Sequence, residues 1–116
     1  MENSKVFSMK FAKVYDLLVQ KAQRKNRTRQ EVDEIICWMT GYGEEEIARL
    51  RESGVEYAAF FEGAPCMNPN CSLVTGKVCG ITVEEIADPM MRKIRILDKL
   101  VDELAKGKKM ENILRG

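Results

Sequence analysis

The 116-residue sequence contains no histidine, and this absence excludes more chemistry than any other feature of its composition. Without histidine there can be no Ser-His-Asp or Cys-His catalytic pair, no zinc site with imidazole ligands and no Glu-x-x-His di-iron site. A glycine-rich loop of the kind that binds phosphates is missing as well. Enzymes that depend on any of these groups are therefore excluded.

A long apolar segment is also lacking. No uncharged stretch of the sequence approaches the ~20 residues that a helix needs to cross a bilayer. Residues 1–13 carry charges but no apolar region typical of a secretory signal. We therefore expect a cytoplasmic protein without a membrane partner. In that compartment the four cysteines, at positions 37, 66, 71 and 79, would stay reduced.

An excess of either charge is absent, since 19 basic residues stand against 18 acidic residues and the net charge is +1. The length and the ordinary apolar content predict a single helical domain over residues 1–116. Locally the charge is uneven, because residues 1–29 hold eight basic and two acidic side chains, whereas residues 30–63 hold two and nine. We expect these complementary segments to pack side by side.

Hydrophobic periodicity and capping signals predict an all-α fold, a small bundle of about five helices. Ser8 is the expected N-cap of a first helix that runs to about Lys25. Thr28 and Glu31 form a capping-box pattern at the start of a second helix, which Gly41 would end. Further helices are predicted after Glu44–Glu46, at about 56–62 and from Asp88-Pro89 to Lys106, followed by a last turn at about 109–115.

Residues 64–83 are the irregular part of the chain, where turn-forming residues predict a loop or a short hairpin. The segment from Ser72 to Val78 is consistent with a small hairpin or with a capped helical turn, because apolar runs this short are ambiguous. Thr82 to Glu85 repeats the capping-box pattern.

This loop also contains the candidate ligand-binding residues. Asn68, Asn70 and Ser72 would present donors and acceptors in fixed directions, as a site for a small polar ligand requires. Acidic residues at 84–88 could supply acid–base groups if the site were that of an enzyme. The alternative is a structural loop whose polar groups cap their own neighbours, and we predict no catalytic residue.

Neither a metal nor an organic cofactor is predicted. Among the cysteines only the pair Cys66 and Cys71 has a spacing close to that of a zinc knuckle. Buried thiols that act as small hydrophobes are expected, especially for Cys37 and Cys79, and Cys71 is the one candidate for a reactive thiol. The pairs of acidic residues at helical spacing lie at predicted helix starts, where capping explains them better than Mg²⁺ binding.

Nucleic acid is not an expected partner. The stretch from Ile36 to Leu50 has the spacing of a helix-turn-helix, but its second helix begins with Glu44–Glu46, which would repel phosphates. A hairpin of two packed helices is the favoured interpretation. The basic run Lys21–Arg29 leaves nucleic-acid binding open as an alternative, although it lacks interleaved aromatic residues.

A homodimer is the expected assembly, with the long C-terminal helix forming much of its interface. The apolar residues of this helix repeat at steps of four and three: Met90, Ile94, Leu97, Val101 and Leu104. Ile96 and Leu100 lie off this stripe, so the helix has more apolar surface than one contact within the chain needs. The alternative is that both faces are buried inside the monomer.

Several motifs of the chain stand out in order: Phe7-Ser8-Met9-Lys10-Phe11-Ala12, Glu31-Val32-Asp33-Glu34-Ile35-Ile36, Thr40-Gly41-Tyr42, Asn68-Pro69-Asn70, Cys79-Gly80, Asp88-Pro89 and Leu97-Asp98-Lys99-Leu100. Together they resemble the motifs of the bacterial family called domain of unknown function 2200. The resemblance covers nearly the whole chain and implies a stand-alone cytosolic protein of this size, without an activity to carry over. It also implies that positions 66 and 71 need not be cysteine, which weakens a zinc site or a nucleophile there.

Together these observations predict a helical binding or interaction domain that forms a homodimer and has no cofactor. The first alternative is a small-molecule-binding protein or enzyme that uses the Asn68–Ser72 loop. The second alternative is nucleic-acid binding through the Lys21–Arg29 end of the first helix.

Overall fold

The computed structural model describes residues 3–115, which form a mostly helical domain. Its seven α-helices are α1 (Asn3–Ser8), α2 (Phe11–Gln23), α3 (Arg29–Thr40), α4 (Glu44–Ser53), α5 (Tyr57–Glu62), α6 (Pro89–Ala105) and α7 (Met110–Ile113). Two-residue strands β1 (Lys77–Val78) and β2 (Ile81–Thr82) pair antiparallel. Within residues 3–115 no helix combines the length and the apolar content that crossing a membrane demands. The all-α prediction is confirmed.

The start of the first long helix differs from the prediction. Ser8 closes the short helix α1, where its hydroxyl donates to the carbonyl of Lys5 at 3.2 Å, so it is not the N-cap of α2. A backbone bridge then connects the start of α2 to the residues between α4 and α5. In this bridge the amide of Phe11 donates to the carbonyl of Val55 at 2.9 Å, and the amide of Tyr57 donates to Met9 at 2.7 Å.

Three of the other predicted helix boundaries are confirmed by their caps. The Thr28 hydroxyl accepts from the amide of Glu31 at 3.2 Å, and the Glu31 carboxylate accepts from the amide of Thr28 at 2.9 Å. Gly41 ends α3 with a φ of 82°, and a Cβ there would lie 3.0 Å from Cys66. Asp88 accepts from the amide of Met91 at 3.0 Å, which starts α6. Side-chain caps therefore set the starts of α3 and α6, and a glycine in the left-handed conformation sets the end of α3.

The segment 64–83 contains a short helical turn and a short hairpin, but at other bounds than residues 72–78, for which the sequence left these two structures open. A 3₁₀ turn over Pro69–Leu73 comes first, and the β1–β2 hairpin follows. Residues 79 and 80 join the strands with φ values of 53° and 77°, as a tight hairpin turn requires. The capping box predicted at Thr82 is wrong, because its side chain makes no cap and the Glu84 carboxylate instead accepts from the amide of Gly76 at 2.9 Å.

Helix α6 lies at the centre of the core. It packs against α2, α3, α5, α7 and β1. Leu97, Leu100 and Val101 are fully buried and Ile96 is 5% exposed, so both apolar faces of the helix are covered within one chain. The prediction that Leu97, Leu100 and Val101 form the dimer interface is therefore wrong, and the alternative of burial inside the monomer is correct for these residues.

Candidate functional site

The predicted ligand-binding residues lie together on the 3₁₀ turn at 69–73. The side-chain oxygen of Asn68 accepts from the amide of Asn70 at 2.8 Å, and the hydroxyl of Ser72 donates to the carbonyl of Pro69 at 3.0 Å. Two of the three polar side chains therefore stabilise their own turn. Asn70 is half-buried. A ligand-binding role for these residues stays a prediction.

An apolar groove lies beside this turn at the start of α6, and we call it the α6 groove. It has a volume of about 270 Å³ and is lined by Ser72, Ala87, Pro89, Arg92, Lys93 and Ile96. Leu73, which follows Ser72, is 57% exposed, the most exposed of the large apolar side chains in residues 3–115. The groove thus combines apolar surface with two cations and no lining carboxylate.

The acidic residues expected near the loop make hydrogen bonds within the fold instead of lining the groove. The amide of Gly76 donates to Glu84 and thereby lowers the pKa of that carboxyl group. Asp88 is the cap of α6. Neither lines the α6 groove. The groove therefore lacks the pair of acid–base groups that an enzyme of this kind would need.

The cysteines are all free. Cys71 is buried, and desolvation raises the pKa of its thiol, which disfavours the thiolate needed for a nucleophile. Cys79 is exposed in the hairpin turn, so its predicted burial is wrong, while Cys37 is half-buried as a packed thiol. Among residues 3–115 no three potential metal ligands from Cys, Asp or Glu lie together.

A second depression, between α2, α3 and α4, was not expected from the sequence. We call it the polar cleft. It has a volume of about 210 Å³ and is lined by Tyr15, Arg29, Asp33, Glu44, Ile47, Ala48, Arg51 and Glu52. Arg29 and Arg51 also line an adjoining depression of about 190 Å³, so these two guanidinium groups stand between the two spaces.

Several charges in the polar cleft are held by contacts within the fold. The Tyr15 hydroxyl donates to Asp33 at 2.6 Å, and burial together with this hydrogen bond raises the pKa of Tyr15. Arg51 lies over the Tyr15 ring, 5.8 Å from its centroid, and donates to Asp16 at 3.0 and 2.9 Å. The Tyr15 ring and the Arg51 guanidinium, held by these contacts, therefore form one side of the cleft.

The basic run Lys21–Arg29 does not act as one surface. Lys21 pairs with Asp102 at 3.1 Å. Arg27 donates to Glu31 at 2.7 Å and to two backbone carbonyls, those of Leu104 at 3.2 Å and Lys108 at 3.0 Å. This arrangement places Lys21 and Arg27 against the end of α6, whereas Arg29 lines the polar cleft.

The cleft was missed because its contacts join distant parts of the chain. Tyr15 and Asp33 are 18 positions apart, and Asp16 and Arg51 are 35 apart. One signal was present in the sequence, namely polar residues at helical spacing with a small residue between them. Glu44, Ala48 and Glu52 lie four positions apart on α4 and form such a row.

Two comparisons with known proteins cover almost the entire chain. The sequence model of a family described as "Uncharacterized protein conserved in bacteria (DUF2200)" matches residues 5–115. The crystal structure of uncharacterized protein SP1917 is similar, with a TM-score of 0.92 and 42% sequence identity over 97% of this chain and 93% of that chain. No curated protein matches the sequence. The two structures therefore share the complete fold.

Proposed function

The chain belongs to the DUF2200 family of bacterial proteins, and we propose that it is an interaction domain that associates with a second copy of itself through the α6 groove. The observation that carries the proposal is the exposure of Leu73, which directly follows Ser72, a residue that lines an apolar depression. Burying a leucine side chain contributes about 1.5–3 kcal/mol. A partner that covers the groove and buries Leu73 would gain free energy of this size.

A second copy is favoured as the occupant because of charge. A groove of this size supplies only part of the ~800 Å² that a typical stable interface buries on each partner, so the charged surface around it must contribute. Arg92 and Lys93 make the groove basic. Exposed glutamates outside the polar cleft, such as Glu45, Glu56 and Glu62, give the same chain acidic side chains that a basic groove can meet. Such complementarity guides two copies into contact.

Binding rather than catalysis is also favoured by the state of the reactive groups. The side chains of Asn68 and Ser72 are engaged in their own turn, and the Cys71 thiol is buried. The four free cysteines are those expected of a protein that works in the cytoplasm. We include that location in the proposal.

Sedimentation at micromolar concentrations tests the self-association. The parent is expected to run at twice the 13.3 kDa of the chain, and Leu73→Glu and Arg92→Glu are expected to run as monomers. Leu17→Glu is the matched control, because Leu17 is 48% exposed on α2 and lies outside the groove. A monomeric parent would overturn the proposal, and so would dissociation by Leu17→Glu but not by Leu73→Glu.

A further inference from the structure

The polar cleft shares no residue with the α6 groove, and its chemistry differs. We infer that the cleft binds a free amino acid with a cationic side chain, of the kind represented by arginine and lysine. The inference rests on which charges of the cleft are already paired and which are left, and on the shape of the α4 wall.

Some charged side chains of the cleft are engaged within the fold, and others are left without a partner among the described residues. Arg51 is engaged with Asp16, and Asp33 accepts from the Tyr15 hydroxyl. The other charged groups of the lining are Arg29, Glu44 and Glu52, and none of these three has an ion-pair partner or a side-chain hydrogen bond within residues 3–115. Asp33 has no ion-pair partner within residues 3–115 either, so one unpaired cation and three unpaired anions face the cleft, and one Asp33 oxygen is already used by Tyr15. The remaining groups, Arg29 and the pair Glu44 and Glu52, complement a ligand with one carboxylate and two cationic groups.

The α4 wall has room for such a ligand. Glu44 and Glu52 are eight residues apart on one helix, a rise of about 12 Å, and Ala48 lies midway between them. Ala48 lines the cleft between these two glutamates, and its short side chain occupies little of the space. The α-ammonium and side-chain cation of arginine or lysine are likewise separated by several bonds. The ligand carboxylate would then meet Arg29.

Other classes of ligand fit the cleft less well. A phosphate would meet the carboxylates of Asp33, Glu44 and Glu52, which oppose a doubly charged anion. A metal cation would meet the guanidinium groups of Arg29 and Arg51. The volume of about 210 Å³ is below the ~300–1,000 Å³ of pockets for larger organic ligands. Size and charge together therefore favour an amino acid.

Titration with L-arginine, followed by calorimetry and by the backbone amide signals of Asp33, Glu44 and Ala48, tests the inference. Saturable binding that shifts these signals is expected. Three analogues each lack one charged group: agmatine lacks the carboxylate, N-acetyl-arginine the α-ammonium and citrulline the side-chain charge. Each should bind at least about tenfold more weakly, because each leaves one charged cleft group unpaired. N-acetyl-arginine also distinguishes a free amino acid from the carboxyl end of a peptide.

Matched variants locate the site. Arg29→Gln and Glu52→Gln should each weaken L-arginine binding about tenfold, whereas Arg24→Gln and Glu45→Gln, exposed and outside the cleft, should leave it unchanged. Ala48→Leu should fill part of the cleft and block the binding of L-arginine. Position 48 is exposed on its helix, so the fold should tolerate the change. The same titration of Leu73→Glu separates this inference from self-association. Unshifted cleft signals, equal binding of all three analogues or tighter binding of inorganic phosphate would overturn it.

Discussion

Charged side chains at the end of α6 form ion pairs within the fold, whereas several of those in the polar cleft form none within residues 3–115. At the end of α6, which we call the α6 junction, ion pairs connect helices and loops, among them Lys21–Asp102 at 3.1 Å, Arg27–Glu31 at 2.7 Å and Arg115–Glu103 at 2.7 Å. In the polar cleft Arg29, Glu44 and Glu52 have no ion-pair partner among the described residues. The comparison separates charges that hold the fold from charges that are available to a ligand.

Two arginines show the difference within three positions of the chain. Arg27 precedes the cap of α3, and its guanidinium bridges Glu31 and the last carbonyls of α6. Arg29 is the first residue of α3 and lines the polar cleft. Because both residues are arginines in the same basic stretch of sequence, only the tertiary structure shows that their roles differ.

The largest effect should come from placing a charge in the core of α6, where no partner exists. Leu100→Glu is expected to lower the free energy of unfolding by about 4 kcal/mol, since an unpaired buried charge is costly. Leu100→Met, which conserves volume, should cost less than about 1.5 kcal/mol. Urea unfolding measures both. A Leu100→Glu protein that is stable and monomeric would instead place the dimer interface at Leu100.

Breaking the α6 junction should have the next largest effect. Arg27→Gln removes the pair with Glu31 and two hydrogen bonds to carbonyls, from a side chain that is 17% exposed. We expect a loss of about 2 kcal/mol, while the exposed Arg24→Gln changes stability by less than about 0.5 kcal/mol. Chemical denaturation of the two variants checks the contrast. Equal small losses would mean that the junction is not structural.

Acid should weaken the same junction. Hydrogen bonding to Arg27 lowers the pKa of Glu31 from 4.5 to about 2. A lowered carboxyl pKa stabilises the folded state above the unfolded value, so this contribution is present above pH 4.5 and is lost as the pH falls towards 2. The stability difference between the parent and Glu31→Gln should therefore shrink over that range. A constant difference would contradict the assignment.

The smallest effect is expected in the polar cleft. Glu52→Gln should change the free energy of unfolding by less than about 0.5 kcal/mol, because the carboxylate has no ion-pair partner within residues 3–115. Removing one of two like charges can even stabilise the fold slightly. Thermal unfolding of this variant beside Glu31→Gln measures the contrast. A loss as large as that of Glu31→Gln would show that the cleft charge is structural.

The features that the sequence could predict are those made by neighbours in the chain. Thr28 and Glu31 are three positions apart, and Asp88 and Met91 are also three apart, so their caps follow from local spacing. Ser8 was misjudged because its hydroxyl has a competing acceptor, the carbonyl of Lys5. Local pattern alone does not decide between two such hydrogen bonds.

The features that could not be predicted depend on contacts between distant segments. The burial of Ile96 and Leu100 requires several helices to surround α6, which its own periodicity does not reveal. The same holds for the polar cleft, where Arg51 of α4 meets Tyr15 and Asp16 of α2. Sequence therefore located the helices and the irregular loop but not the surfaces between them.

The most direct test is urea unfolding of Arg27→Gln and Arg29→Gln, each with and without L-arginine at a fixed ionic strength. A ligand that binds only the folded state raises the unfolding midpoint. The account predicts that Arg27→Gln has a lower midpoint but still responds to L-arginine, whereas Arg29→Gln keeps the parent midpoint and loses the response. The reverse pattern, or a response retained in both variants, would contradict the separation of structural charges from ligand-binding charges.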